Sequence, residues 1–336
     1  MAELVCALAC SHGPLLATPP QMWDLRAGAD RENKRHWYRG RQMDYASLLA
    51  ARQPGFHEEA SLAERQRRYD ACQRALDEMA RRFRAARPDV AIILGNDQRE
   101  VFSEDLTAGF TVYAGEQIPN IPLSEEQVRR LPPGVAVAEE GHCPPGGAVY
   151  PGAREVAEGL VETLVGESFD VAVSYRLPGG VDRQHGIPHA FGFIYRRIME
   201  DAPPPTSVPL FTNVGVPPNR PRTRRCLQMG HALAKAIRAM PEGLRVAVVA
   251  SGGFTHFVVD EELDRRILDA MQRGDEAALA DVPEAYFEGN TCEIKSWYPL
   301  AAAMNDLGRK MELIDYVPCY RTEAGTGSGM AFASWR

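Results

Sequence analysis

The chain has 336 residues, 45% of them hydrophobic and 25% charged, with a net charge of −7. That length allows a full hydrophobic core, and the negative balance excludes a protein that neutralises a nucleic-acid backbone with a basic surface. Seven cysteines without a Cys-x-x-Cys pair read as reduced thiols of a cytoplasmic protein rather than a disulfide framework. Glu3 stands where the basic region of a leader would be, and no apolar run approaches the roughly 20 residues of a membrane span, so neither is expected.

Short apolar runs recur along the chain at residues 4–9, 90–94, 171–175, 209–213 and 246–250. Each is continuous and rich in Val, Ile, Leu or Ala, the pattern of strands covered on both faces. Helical patterns separate them. Residues 60–87 place Leu62, Tyr69, Leu76, Met79 and Phe83 on one face, and residues 150–165, 191–199, 223–240 and 261–273 are further helices. The alternation predicts an α/β fold with a central, mostly parallel sheet flanked by helices. Residues 17–58 form a long excursion after the first strand, rich in Arg and aromatics, and read as an inserted cap or lid on a single domain spanning residues 1–336. Removing residues 23–45 is therefore expected to leave folding intact.

Polar clusters stand where the chain leaves the strands. Ser11-His12 follows the first run and Gly95-Asn96-Asp97-Gln98 the second. Residues 178–191, with Asp182, His185 and His189, follow the third, and Ser251-Gly252-Gly253-Phe254-Thr255-His256 the last. In a parallel sheet these ends meet at one edge, where open α/β folds place their chemistry. Several imidazoles there point to a metal or acid–base site. Gly252 and Gly253 would let the backbone approach that site closely. A carboxylate is available in Glu293, which also reads as an acid in the first turn of an apolar helix at 297–304 capped by Thr291.

Five segments together resemble the class III extradiol ring-cleavage dioxygenases, the family of the protocatechuate 4,5-dioxygenase catalytic subunit. They are Cys10-Ser11-His12-Gly13-Pro14, Gly95-Asn96-Asp97-Gln98, the His185/His189 loop, residues 251–256 and residues 291–297. They run in the family's order over nearly the whole chain apart from residues 17–58. His189-Ala190-Phe191-Gly192-Phe193, Pro217-Pro218-Asn219, Tyr320-Arg321-Thr322 and Gly325-Thr326-Gly327 are similar to the branch that contains 3-O-methylgallate dioxygenases.

The resemblance implies one Fe(II) held by two histidines and a glutamate, with open positions for a catechol or gallate-type substrate and dioxygen. It assigns His12 and Glu293 as ligands. The second histidine departs from the family's Asn-Asp-His, since Gln98 stands in its place. His57, just before the long helix, is the expected replacement, with Gln98, Asp97 or Glu100 as alternatives. A surface histidine is the plain reading of His57. His185 and His189 share the acid–base role without an assigned order, and His256 is expected to assist at the ligands or the bound oxygen. Asp97, Gln98, Gly252 and Gly253 are expected to line the site. A homo-oligomer is implied, with a small aromatic molecule and dioxygen as partners. Two other readings remain. One is a metal-dependent hydrolase with zinc-activated water; the other is a non-enzymatic scaffold of the same fold.

Overall fold

A computed structural model describes residues 2–102, 106–178 and 186–336. Nine strands form one sheet: β1 (Glu3–Cys10), β2 (Val90–Asn96), β3 (Phe110–Tyr113), β4 (Ala172–Ser174), β5 (Thr206–Thr212), β6 (Arg245–Ser251), β7 (His256–Val258), β8 (Met311–Tyr320) and β9 (Thr326–Trp335). The order across the sheet is β7-β9-β1-β6-β2-β5-β3-β4, with β8 also pairing β9. The β1–β6–β2–β5 centre is parallel throughout, whereas β9 runs antiparallel to β1, β7 and β8. The expected mostly parallel α/β sheet is present.

The central strands divide their side chains by the period of two that a pleated strand imposes. Val246, Val248 and Ala250 pack with helices Thr223–Ala239 and Trp297–Asp306 on one face. Ala247 and Val249 pack with helix Leu62–Ala86 on the other. Both faces are covered, which is why the strands read as unbroken apolar runs. The long helix starts where Ser61 accepts the N–H of Glu64, a standard side-chain cap.

The segment after β1 is more than a loose lid. Trp23 and Leu48 are fully buried. Asp30, on helix Trp23–Glu32, takes the Arg321 guanidinium at 2.8 and 3.2 Å and the Thr326 hydroxyl at 2.7 Å. The excursion is thereby tied to the last two strands. A chain lacking residues 23–45 would leave Arg321 buried without its carboxylate, contrary to the expectation of intact folding.

The largest departure from the sequence pattern is β9. Its ten residues are all buried, and it lies between β7 and β1. No helix among the described residues is long and apolar enough to cross a membrane.

Candidate metal centre

The register of the parallel strands fixes where the site forms. Cys10 pairs with Ser251 and Ala250 with Leu94. The residues that follow, His12, Gly252-Gly253 and Asn96–Gln98, therefore leave three adjacent strands at one edge. The fourth contribution comes from farther away. After β4 at the sheet's far margin, the chain returns beside residues 119–120, where the N–H of Ile187 donates to the Pro119 carbonyl at 2.7 Å. That return places His189 at the start of the short helix His189–Phe193.

The imidazole of His12 is buried. Its Nδ1 lies 2.9 Å from the Ser251 hydroxyl, which itself donates to the Ala190 carbonyl at 2.6 Å. The serine proton is committed to that carbonyl, so the assigned tautomer puts the His12 proton on Nδ1, donating to Ser251. Nε2 is left as a bare lone pair. It lies 3.1 Å from Oε2 of Glu293 but makes no hydrogen bond to it, and is buried without a partner. A lone pair facing a carboxylate oxygen is repulsive unless a cation sits between them. Burial lowers the His12 pKa despite the pull of Glu293, which keeps the ring neutral and suited to ligation.

His189 completes the group. The ligand atoms of His12, His189 and Glu293 lie within 4.8 Å of one another, and the two imidazoles meet edge to face at 4.8 Å between centroids. Nδ1 of His189 is 2.6 Å from Oε1 of Glu100, whose other oxygen accepts the His189 backbone N–H at 2.9 Å. Burial alone would lower the pKa of His189, but the Glu100, Glu293 and Asp97 carboxylates together outweigh it and raise it to about 9. A carboxylate behind a histidine is the usual arrangement that orients a ligating ring.

Glu293 sits in the 3-10 segment Gly289–Ser296, not in the apolar helix that follows. Its Oε2 accepts the Gly253 N–H at 3.0 Å, and its Oε1 accepts the side-chain amide of Gln98. Burial opposes its ionisation, yet the neighbouring His256 holds its pKa well below the usual carboxylate range. Gly252 and Gly253 are needed for this approach. A Cβ on Gly252 would stand 2.3 Å from the Glu293 carbonyl, and one on Gly253 2.7 Å from the His256 ring.

His256 flanks the trio. Its Nδ1 lies 2.5 Å from the Phe254 carbonyl, to which it donates, and its Nε2 lies 3.4 Å from Oε1 of Glu293. Burial opposes its protonation, but Glu293 and the Phe254 carbonyl together raise its pKa. The Thr291 hydroxyl accepts the His256 N–H and is 3.2 Å from the His256 carbonyl.

The remaining expected residues take other places. His57 does not join the trio: it is exposed on the turn before helix Leu62–Ala86. The physical reason is that its turn is pinned to the tail. The Phe56 N–H donates to the Glu323 carbonyl at 2.9 Å, and the Phe56 ring stacks on Tyr320. His185 lies outside the described residues. Asp97 turns away from the ligands and accepts the backbone N–H groups of Glu100, Val101 and Phe102, an Asx-type turn that presents Glu100. Gln98 is a carboxylate partner instead of a ligand, with its own oxygen accepting from Asn290 at 3.1 Å. His142, whose ring is 5.8 Å from that of His189, carried no distinct signal in the sequence, and Ser251 stood out there only as the start of the cluster after the last run.

Residues 54–329 match the family described as the catalytic LigB subunit of aromatic ring-opening dioxygenase. The chain belongs to this family. A gallate dioxygenase of Pseudomonas putida is 42% identical over 72 residues. That stretch covers about a fifth of each protein, 21% of the relative.

Proposed function

We propose that this protein is an Fe(II)-dependent extradiol dioxygenase that opens the ring of a catechol- or gallate-type substrate with dioxygen. The observation that carries the reading is the bare Nε2 of buried His12 facing the ionised Glu293, with His189 beside them. Two histidines and one carboxylate are the donor set of non-haem iron oxygenases, a set that leaves positions open for substrate and oxygen. When bound, the iron supplies the electron transfer between a chelated diphenol and dioxygen.

The chain's own residues do the rest. His12, His189 and Glu293 would hold the ion, and Ser251 and Glu100 fix the two rings by engaging their Nδ1 atoms. Gln98 and the Gly253 N–H hold the carboxylate in place. His256, with Nδ1 committed to Phe254, directs Nε2 toward the site and is assigned to take a phenolic proton. His185 remains a second candidate for proton transfer.

Anaerobic Fe(II) titration followed by oxygen uptake with gallate and with protocatechuate tests this. Wild type should bind one iron and consume oxygen, and His189→Ala should do neither, while His57→Ala should match wild type. Iron binding without oxygen uptake on any catechol would reject the dioxygenase reading. Ester or amide hydrolysis by the zinc-loaded protein would then favour a hydrolase.

A further inference from the structure

One margin of the central sheet is open among the described residues. β4 ends the strand order and pairs only with β3, in parallel register. The opposite margin, β7, lies beside the hairpin at residues 36–43. Backbone groups point alternately to the two sides of a strand, and the Ser174 carbonyl turns inward to accept the Ala114 N–H at 2.8 Å. The N–H and carbonyl of Val173, one residue earlier, therefore point outward. Ala172-Val173-Ser174 carries none of the devices that blunt an edge: no proline, no charge and no bulge.

The surroundings of this edge are apolar and exposed. Val173 is 38% exposed and Tyr175 51%. Arg154, at the start of helix Arg154–Gly166, sets its guanidinium carbon 4.9 Å from the centroid of the Tyr175 ring, so this face of the helix borders the edge. Three turns further along the same face stands Val165, 60% exposed. Unpaired strand groups beside exposed apolar side chains form a template to which another strand adds.

The charges select which strand. Asp170 and Arg176 are both exposed, and neither side chain has a hydrogen bond or ion pair among the described residues. They stand equally far before and after Val173. In an antiparallel pair formed across a two-fold axis at Val173, Asp170 of each copy faces Arg176 of the other. Val173 then meets Val173 of the second copy, and the two exchange both N–H and carbonyl bonds, as their outward groups require. A parallel pair in register would instead set like charges side by side.

We propose that β4 is the pairing edge of a homodimer, in which two copies join antiparallel about Val173 and continue the sheet from one subunit into the next. The occupant is a second copy of this chain because the charge pattern of the edge is complementary to itself. The strand is short, so Val165 and Tyr175 of both copies supply the rest of the contact. The two-fold axis repeats the Asp170–Arg176 contact, and a change at either residue acts twice.

Sedimentation equilibrium of the full chain, over roughly 1 to 100 μM, tests this. Wild type should be a dimer. Val173→Pro removes an outward N–H at a position where an edge strand tolerates proline, and should give a monomer with unchanged circular dichroism. Asp170→Arg and Arg176→Asp should each raise the dimer dissociation constant by about tenfold or more, because each places two like-charged pairs in the interface. Asp170→Arg combined with Arg176→Asp should return it to within about threefold of wild type. The charge exchanges decide alone in the case where the proline variant does not fold. A monomeric wild type overturns the proposal. A dimer that all the variants leave intact also overturns it, since another surface then holds the copies together. Single variants that weaken the dimer without recovery in the combined variant overturn the antiparallel register about Val173.

Discussion

Glu100 grips His189 at two points, its Oε1 2.6 Å from the ring Nδ1 and its Oε2 accepting the backbone N–H at 2.9 Å. The carboxylate thereby fixes both the ring plane and the start of the helix that carries it. Glu100→Gln keeps the size of the side chain but loses the charge behind the imidazole. Its metal affinity should fall about 10- to 100-fold, measured by competition with a chromophoric chelator. Unchanged affinity would show that His189 needs no such support.

Gln98 occupies the position where the family pattern calls for a histidine, and the structure gives it work on Glu293 and Asn290. Gln98→Ala should weaken iron binding by about tenfold through a less constrained carboxylate. Gln98→His should leave the stoichiometry at one iron. A second equivalent bound by the histidine variant would contradict this placement.

Burial raises the Asp264 carboxyl to about 7, against the opposing pull of donors from Thr255 and Tyr316. The folded-state pKa lies above the ordinary 3.8, so the unfolded chain loses its proton first. The contribution to stability is full below about pH 4, declines as pH rises to about 7 and is level beyond, on the order of a few kcal/mol in all. Urea midpoints of the metal-free protein at pH 5 and pH 8 measure the slope. Asp264→Asn should flatten it, and an undiminished slope in that variant would assign the effect to other groups.

Asp30→Asn leaves the Arg321 guanidinium buried with no carboxylate to meet it. Breaking such a pair from one side costs about 3–5 kcal/mol, so a clear drop in Tm is expected. A drop of less than a degree would mean that water replaces the pair.

How much of this could be read in advance follows from what the residues record. The strands at 90–96 and 245–251 were legible because both of their faces are covered, and they carry almost no polar residue until the chain reaches the site. The tail was not legible as a strand. β9 is full of Gly, Ser and Thr, small residues required by neighbours elsewhere in the chain: a Cβ on Gly329 would stand 2.2 Å from an Asp264 oxygen. His12 and Glu293 could be named as candidate ligands through the resemblance. The placing of His189 beside them depends on the path of residues 186–188 back across the sheet, which no local pattern encodes. His57 had a suitable residue type in a suitable segment, but the contacts of Phe56 with the tail hold it in solvent.

The strand pairing also has a consequence for the order of events during synthesis. β1 finds its partners only at residues 245–251 and 332–334, so a segment translated early is among the last to be enclosed. Until then its run of Val, Leu and Ala is an unpaired edge, open to mispairing with other nascent chains. The candidate metal group cannot assemble on a half-made chain, because His12 waits for Glu293. Under the proposed reading, metal capture would therefore be a closing event of folding, and a protein starved of the ion would be expected to pass through its slowest, most aggregation-prone stage without that final fastening.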